Sequence, residues 1–377
     1  MVNFQREVYC ILGLPFDAVD MAGAVRQVRD AAAQRTPCLL STPNLNFAID
    51  CRSDGAFRDS VIHSNLVVAD GMPLVWIARW LGIPIRERVP GSTLFETLRG
   101  ACGKPLSVYF FGGPDGAAQA ACHRLQQEGG GLTGAGYDSP GFGSVADMSR
   151  DELIQRINAS GADFLLVALG ARKGQAWIEH NRARITVPVI SHLGAVVNFV
   201  AGRVHRAPAW MQNIGLEWLW RIKEEPALWR RYCADGWALL LLLVTRIIPY
   251  VWYLRHNQPG AAELQTATAQ MSAEGLHCVV QLRGAWTQRN IMPLRACFAS
   301  AVRAGKDVRL DMGGVTYVDS AVVGLLTLLY GEQQQQRKKL LMTSVQKPVR
   351  RVIRYCCAEY LPVDLSPASR HELSLTD

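Results

Sequence analysis

A threonine, an asparagine and an aspartate carry the most chemistry in this sequence. Thr42-Pro43-Asn44 follows the apolar pair Leu39-Leu40, and Asp70-Gly71 follows Leu66-Val67-Val68. Each apolar run is short and stops at a polar turn, the pattern of a buried strand. Ligands of open α/β sheets bind at the carboxyl ends of strands, so Thr42, Asn44 and Asp70 are expected to meet in one crevice. There a carboxylate can act as a base toward a hydroxyl held within hydrogen-bond reach. Each residue also has a plain structural reading. Thr-Pro-Asn suits a helix start, with a hydroxyl side chain capping and proline pre-setting φ, and Asp-Gly suits an ordinary turn.

The elements that must hold these residues alternate along the chain. Asp17 to Ala33 reads as a helix, and Leu106 to Gly113 (LSVYFFGG) as a buried strand ending in glycines. Such βα alternation argues a mainly parallel sheet with helices on its faces. The turn Gly112-Gly113-Pro114-Asp115-Gly116 precedes an alanine-rich helix, so free backbone N–H groups there suit a phosphate. A tight turn that needs glycine explains it equally well, and it is neither a Walker loop nor a dinucleotide fingerprint. Residues 161–200 repeat the pattern, with strands at ADFLLVALG and VPVISHLGAVV around ARKGQAWIEHN. His192 reads as a packed turn residue, since no His or Cys lies at ligand spacing from it.

Asn198 to Tyr232 reads as an amphipathic helical hairpin, with Trp and Leu on one side and arginines on the other. Arg206, Arg221, Arg230 and Arg231 suit diphosphate binding, because guanidinium forks match phosphate oxygens; a solvated basic face is the ordinary alternative. Trp237 to Leu254 is the most apolar stretch but contains Arg246 and Pro249. With Trp and Tyr at its ends and flanking arginines, it suits a helix lying in a membrane interface. A core or dimer-interface helix is the alternative. His256 to Gly275 is polar and rich in small residues, and is read as a linker. The remainder, to about Leu361, is a separate small α/β unit.

Composition sets the outer limits. The chain has 377 residues, 49% hydrophobic and 19% charged, which is room for two or three globular domains. Its +8 balance suits nucleic acid, anionic lipid or phosphate-bearing substrates and selects none of them. The opening MVNFQREVYC carries a glutamate and no long apolar core, so no secretory signal is read there. Ten cysteines are scattered without a C-x-x-C pair and are expected to be reduced thiols of a cytosolic protein.

The motifs TPN, ADGMPLVW, ARWLG and RERVPG, followed by RAP, GLEW, EP and RR, occur in a fixed order. From about Tyr9 to about Tyr232 the chain resembles the WecG/TagA/CpsF glycosyltransferases. The resemblance implies a Rossmann-like glycosyltransferase domain at 1–200 with a membrane-proximal helical appendage at 201–256. It implies transfer from a UDP-sugar of N-acetylmannosamine, uronic acid or glucose type to a polyprenyl-diphosphate-linked acceptor. The setting would be cell-surface polysaccharide synthesis on the cytoplasmic face of the membrane. Asp70 matches the family's general base. Thr42 and Asn44 would orient a sugar ring, and Arg88 or Arg221 would neutralise the departing phosphate. Gly91, Gly112, Gly113, Lys173, Gln175 and Arg206 complete the implied substrate-binding set. The family's Gly-x-Pro-Lys-Gln-Glu turn reads Gly170-Ala171-Arg172-Lys173-Gly174-Gln175 here, keeping only the glycine and the lysine in place. No Asp-x-Asp precedes the linker, so neither metal nor cofactor is expected. Single displacement would invert the anomeric carbon. Nucleic acid is not an expected partner; a homo-oligomer is compatible with the apolar appendage.

After the linker at 257–275, residues 276–365 resemble the STAS domain through LRGAW, VRLDMGGVTYVDSAVVGLL and PVRRVIRY. Alanine follows Asp319-Ser320 where phosphorylated members of that family carry the regulatory serine. The unit is therefore read as a docking or dimerisation module for a protein partner, with Ser320 the only alternative phosphoacceptor. Two competing functions stay in view. One is a catalytically degenerate scaffold acting through the STAS unit. The other is a dinucleotide-dependent oxidoreductase, against which the missing G-x-G-x-x-G speaks.

Overall fold

The structure, a computed structural model, describes residues 2–141, 143–202, 207–208, 211, 217–224, 226–275 and 277–364. The chain divides into two compact units. One combines Met1–Ala18, Ile77–Ile83 and Leu240–Asp377; the other comprises Val19–Trp76 and Pro84–Leu239.

The second of these is built on a six-stranded sheet. Its strands are β3 (Cys38–Ser41), β4 (Leu66–Val67), β5 (Leu106–Gly112), β6 (Leu132–Asp138), β7 (Phe164–Ala168) and β8 (Val189–His192). The order is β4-β3-β8-β7-β5-β6, and every pairing is parallel. Side chains alternate between two apolar layers, as a pleat of period two requires. Leu40, Val108, Phe110 and Leu166 enter one core, while Leu39, Tyr109, Phe111 and Leu165 enter the other. Helices cover both faces, which is why the strands read as unbroken apolar runs. Trp177 stacks on Phe111 with ring centroids 4.3 Å apart, and its indole N–H donates to the Met148 carbonyl at 2.8 Å. The first helix of the unit runs Met21–Gln34, capped by Asp20, whose carboxylate accepts from Gly23 N–H at 2.7 Å. It therefore starts later than the expected Asp17, which is instead strand and pairs with Arg6 at 2.6 Å.

The other unit carries a mixed sheet in the order β12-β11-β10-β9. β10 (His277–Trp286), β11 (Asp307–Val318) and β12 (Leu340–Thr343) run parallel, and β9 (Thr268–Glu274) joins antiparallel. The stretch expected as a linker thus supplies the helix Ala261–Gln265 and an edge strand. Its side chains are mostly exposed, so β9 pairs through its backbone and leaves no apolar alternation to read. The helix Ser320–Gln335 is buried without a break from Ser320 to Leu329, because it is covered on two sides. One cover is the sheet. The other is a hairpin of β1 (Val8–Ile11) and β2 (Leu14–Asp17). At Gly324 an added Cβ would lie 3.1 Å from backbone atoms of Val8, Tyr9 and Cys10. Gly13 N–H donates to the Cys356 carbonyl at 2.6 Å, and Tyr360 Oη donates to the Gly13 carbonyl at 2.8 Å. Ser320 itself is 6% exposed.

The hairpin turn gives a direct test of this clamp. Leu12 and Gly13 both take positive φ, 51° and 85°, the mirror-image turn that matches strand twist. A Cβ on Gly13 would lie 2.7 Å from the Cys357 carbonyl oxygen. Gly13→Ala combines left-handed strain with that overlap and is expected to destabilise this unit by about 2–4 kcal/mol. Urea unfolding followed by circular dichroism would register it as a lower midpoint.

A long apolar helix, Trp229–His256, is of a length and composition that can cross a membrane, with a mean hydropathy of 1.7 over its best window. Within the unit that carries the mixed sheet one side of it is packed. Leu242, Ile247, Tyr250 and Tyr253 are buried, Tyr250 stacks on Tyr355, and Tyr253 on Tyr317. Arg246 lies on that packed side, donating to the Arg354 carbonyl and pairing with Glu359, both at 2.6 Å. On the other side Leu240, Leu241, Val244, Ile248 and Trp252 are each at least half exposed.

Candidate active site

Backbone hydrogen bonds draw three loops together at the carboxyl end of the six-stranded sheet. Val68 N–H donates to the Ser41 carbonyl at 3.0 Å, and Asp70 N–H to the Pro43 carbonyl at 2.9 Å. Val89 N–H then donates to the Ala69 carbonyl at 2.8 Å. These bonds set Asn44, Asp70 and Arg88 around one cavity of about 500 Å³. Its remaining wall comes from the helical appendage, through Glu217, Trp218, Trp229 and Tyr232. The convergence read from the two strand ends holds for Asn44 and Asp70.

Thr42 does not reach the cavity lining. It packs at the start of the helix Gly91–Arg99, where a Cβ on Gly91 would lie 3.2 Å from Thr42 Oγ1 and overlap Leu193 Cδ2. Glycine at 91 thus permits a close approach of helix and strand ends. Asn44, rather than a hydroxyl residue, caps the helix Leu45–Ser53: its Oδ1 accepts from Phe47 N–H at 3.0 Å. Capping uses one polar atom of that amide and fixes its place at the rim. Arg88 is ion-paired with Glu217 at 3.1 Å, both side chains under one-fifth exposed. The guanidinium therefore ties the RVPG loop to the appendage helix Glu217–Glu224, and an arriving phosphate would share or displace that carboxylate. Arg221 belongs to the same helix. Arg206 lies outside the described residues.

The remaining substrate-binding expectations fall away from this cavity lining. Gly112 has φ of 90°, and a Cβ there would lie 2.8 Å from the Ala168 carbonyl oxygen; Gly113 N–H donates to that oxygen at 2.7 Å. The glycine pair is required where the ends of β5 and β7 nearly touch. Lys173 Nζ donates to the Gly143 carbonyl at 2.9 Å. Gln175 is 2% exposed and donates to Ser41 Oγ at 2.9 Å, which in turn bonds Ser64 Oγ at 2.8 Å. Arg172 pairs with Asp50 at 3.2 Å and Asp54 at 3.6 Å. His192 packs against Gly174, where any Cβ would overlap its ring. Burial pushes the His192 pKa down to about 4, so it is a neutral packing residue near pH 7. That contact is the physical reason this turn has glycine at 174.

Two carboxylates of the lining, Glu217 and Asp235, escaped the sequence. Asp235, on the helix Trp229–Leu242, is buried and accepts from Asn46 Nδ2 at 3.2 Å. Burial raises its pKa, partly offset by the Asn46 hydrogen bond and the charge of Arg231. Its only signal in the sequence is a lone carboxylate at the head of WALLLL, on the helix face shared with Tyr232 and Leu239.

Residues 9–250 match the family described as Glycosyl transferase WecG/TagA/CpsF family, and residues 269–359 match a second one described as Mlab, STAS domain. A Bacillus spizizenii protein named N-acetylglucosaminyldiphosphoundecaprenol N-acetyl-beta-D-mannosaminyltransferase is 27% identical over 199 residues, covering 52% of this chain and 76% of its own. A Staphylococcus aureus protein of the same name is 24% identical over 217 residues, covering 56% and 82%. Among solved structures, the anti-sigma factor antagonist SpoIIAA in its unphosphorylated form aligns with 27% of this chain and 92% of its own, at 17% identity and a TM-score of 0.25.

Proposed function

The chain belongs to the WecG/TagA/CpsF glycosyltransferase family, and from that premise we propose that it moves a sugar from a UDP-sugar to a polyprenyl-diphosphate-linked saccharide. The observation that carries this reading is the cavity that joins Asp70, Arg88 and the aromatic residues of the appendage. Asp70 takes the proton of the acceptor hydroxyl as its oxygen attacks the anomeric carbon of the donor. The bond from that carbon to the diphosphate oxygen breaks, and UDP leaves with the electron pair. Attack from the face opposite the leaving group inverts the anomeric centre. Arg88, released from Glu217, balances the developing phosphate charge, since a preformed cation is worth most where water is excluded. The names of the relatives favour N-acetylmannosamine as the transferred sugar and a GlcNAc-bearing acceptor.

A lipid-borne acceptor requires work at a bilayer surface. The exposed apolar side of Leu240–Trp252 supports peripheral attachment, with the helix lying in the interface. Its opposite side, Arg246 included, is already taken by the protein.

Incubating the purified protein with a panel of UDP-sugars in EDTA, with and without a short-chain prenyl-diphosphate N-acetylglucosamine, tests the proposal. UDP release that depends on the acceptor is the expected result. If no donor turns over and UDP does not bind, the transferase reading is wrong and the degenerate-scaffold reading replaces it.

A further inference from the structure

Besides Asp70 and the Arg88-bound Glu217, the cavity holds a third carboxylate, for which proton abstraction gives no use. Asp235 is 7% exposed, and its Oδ1 is held by the Asn46 amide at 3.2 Å. A carboxylate offers about four acceptor positions, and the Asn46 bond occupies one of them. Asn46 is neutral, and the charge of Arg231 offsets the carboxylate only in part, so the pair places an acceptor at the cavity wall. Both residues line the cavity, and so do Trp218 and Tyr232, whose ring centroids are 6.0 Å apart at a tilt of 49°. Aromatic faces take up the apolar C–H faces of a ring, while an ionised carboxylate makes strong hydrogen bonds to hydroxyl donors.

Charge decides which part of the substrate this wall can meet. A diphosphate placed against Asp235 would suffer like-charge repulsion; of the cations that line the cavity, Arg88 is paired with Glu217, and the charge of Arg231 already partly balances Asp235. The neutral, hydroxyl-bearing portion of the acceptor is the chemistry that remains. We propose that Asp235, held by Asn46, is a specificity residue that receives hydroxyl groups of the acceptor sugar, with Trp218 and Tyr232 as the platform beneath the ring. This assignment rests on the transferase reading and deepens it. Asp235 binds and orients the acceptor, and Asp70 keeps the proton-transfer step.

Steady-state kinetics with Asp235→Asn separates this role from a merely structural one. The substitution keeps shape and removes charge. The KM for the short-chain prenyl-diphosphate N-acetylglucosamine is expected to rise about tenfold or more, as when a charged hydrogen bond to a substrate hydroxyl is lost. The KM for the UDP-sugar is expected to stay within about twofold. Asn46→Ala, which frees the carboxylate without touching its charge, should raise the acceptor KM by a smaller factor; it also serves if Asp235→Asn does not fold. An unchanged acceptor KM in both variants overturns the proposal, and so does an equal rise in the donor KM, which would move Asp235 to the donor. A wild-type protein that transfers to no acceptor overturns the transferase reading itself, an outcome distinct from a normal wild type with an indifferent variant.

Discussion

Asp70→Asn is expected to reduce kcat by about 10²–10⁴-fold, the range over which a positioned base accelerates proton transfer. The amide has the shape of the carboxylate and cannot accept the proton of the acceptor hydroxyl. The backbone bond that sets this loop, from Asp70 N–H to the Pro43 carbonyl oxygen at 2.9 Å, is unchanged by the substitution, and a thermal melt of the variant separates a loss of chemistry from a loss of fold. UDP release at saturating acceptor would read the loss, and calorimetric UDP affinity should stay within about twofold of wild type. A fall in kcat smaller than about tenfold would end the role of Asp70 as the base.

The second large effect concerns the membrane. Replacing Leu241, Val244 and Ile248 together by serine removes three side chains that are each 58% exposed. Burying such a side chain fully is worth about 1.5–3 kcal/mol. Even partial immersion at about 1 kcal/mol each predicts a loss of about two decades in partitioning onto vesicles. The packed side of the helix is untouched, so thermal stability should hold. Sedimentation with liposomes containing anionic lipid measures the difference. Binding should also weaken with salt, because Arg230, Arg231 and Arg255 are exposed beside the apolar stretch. Equal sedimentation of wild type and triple variant would exclude this face as the attachment surface.

The sequence was informative where local pattern and function coincide. Short apolar runs ending in polar turns located β3, β4, β5 and β7, and with them Asn44 and Asp70; Arg88 came only from the family resemblance of RERVPG. It was silent where a residue acts through something distant. Nothing near Asp235 announces Asn46, which lies 189 positions away. Gly174 looks like an erosion of a binding turn until the His192 ring is seen against it. The glycines at 112 and 113 satisfy a phosphate-cradle pattern and a steric requirement alike, and only the Ala168 carbonyl shows that the second is real. β9 was illegible for a different reason: an edge strand with exposed small side chains carries no apolar period to detect.

The β1–β2 hairpin also imposes an order on biosynthesis. Tyr360, which donates to the Gly13 carbonyl, is 347 residues downstream of it, and the helix that buries the hairpin begins at Ser320. During translation Val8, Cys10, Ile11, Leu14 and Phe16 must wait, uncovered, until the helix beginning at Ser320 has emerged. The parallel sheet depends on no residue beyond His192 for its strands, so it can assemble on the ribosome while the hairpin is still unclaimed. A nascent chain arrested before residue 320 would present an intact sheet beside an orphaned apolar hairpin, which chaperones and proteases recognise as unfinished.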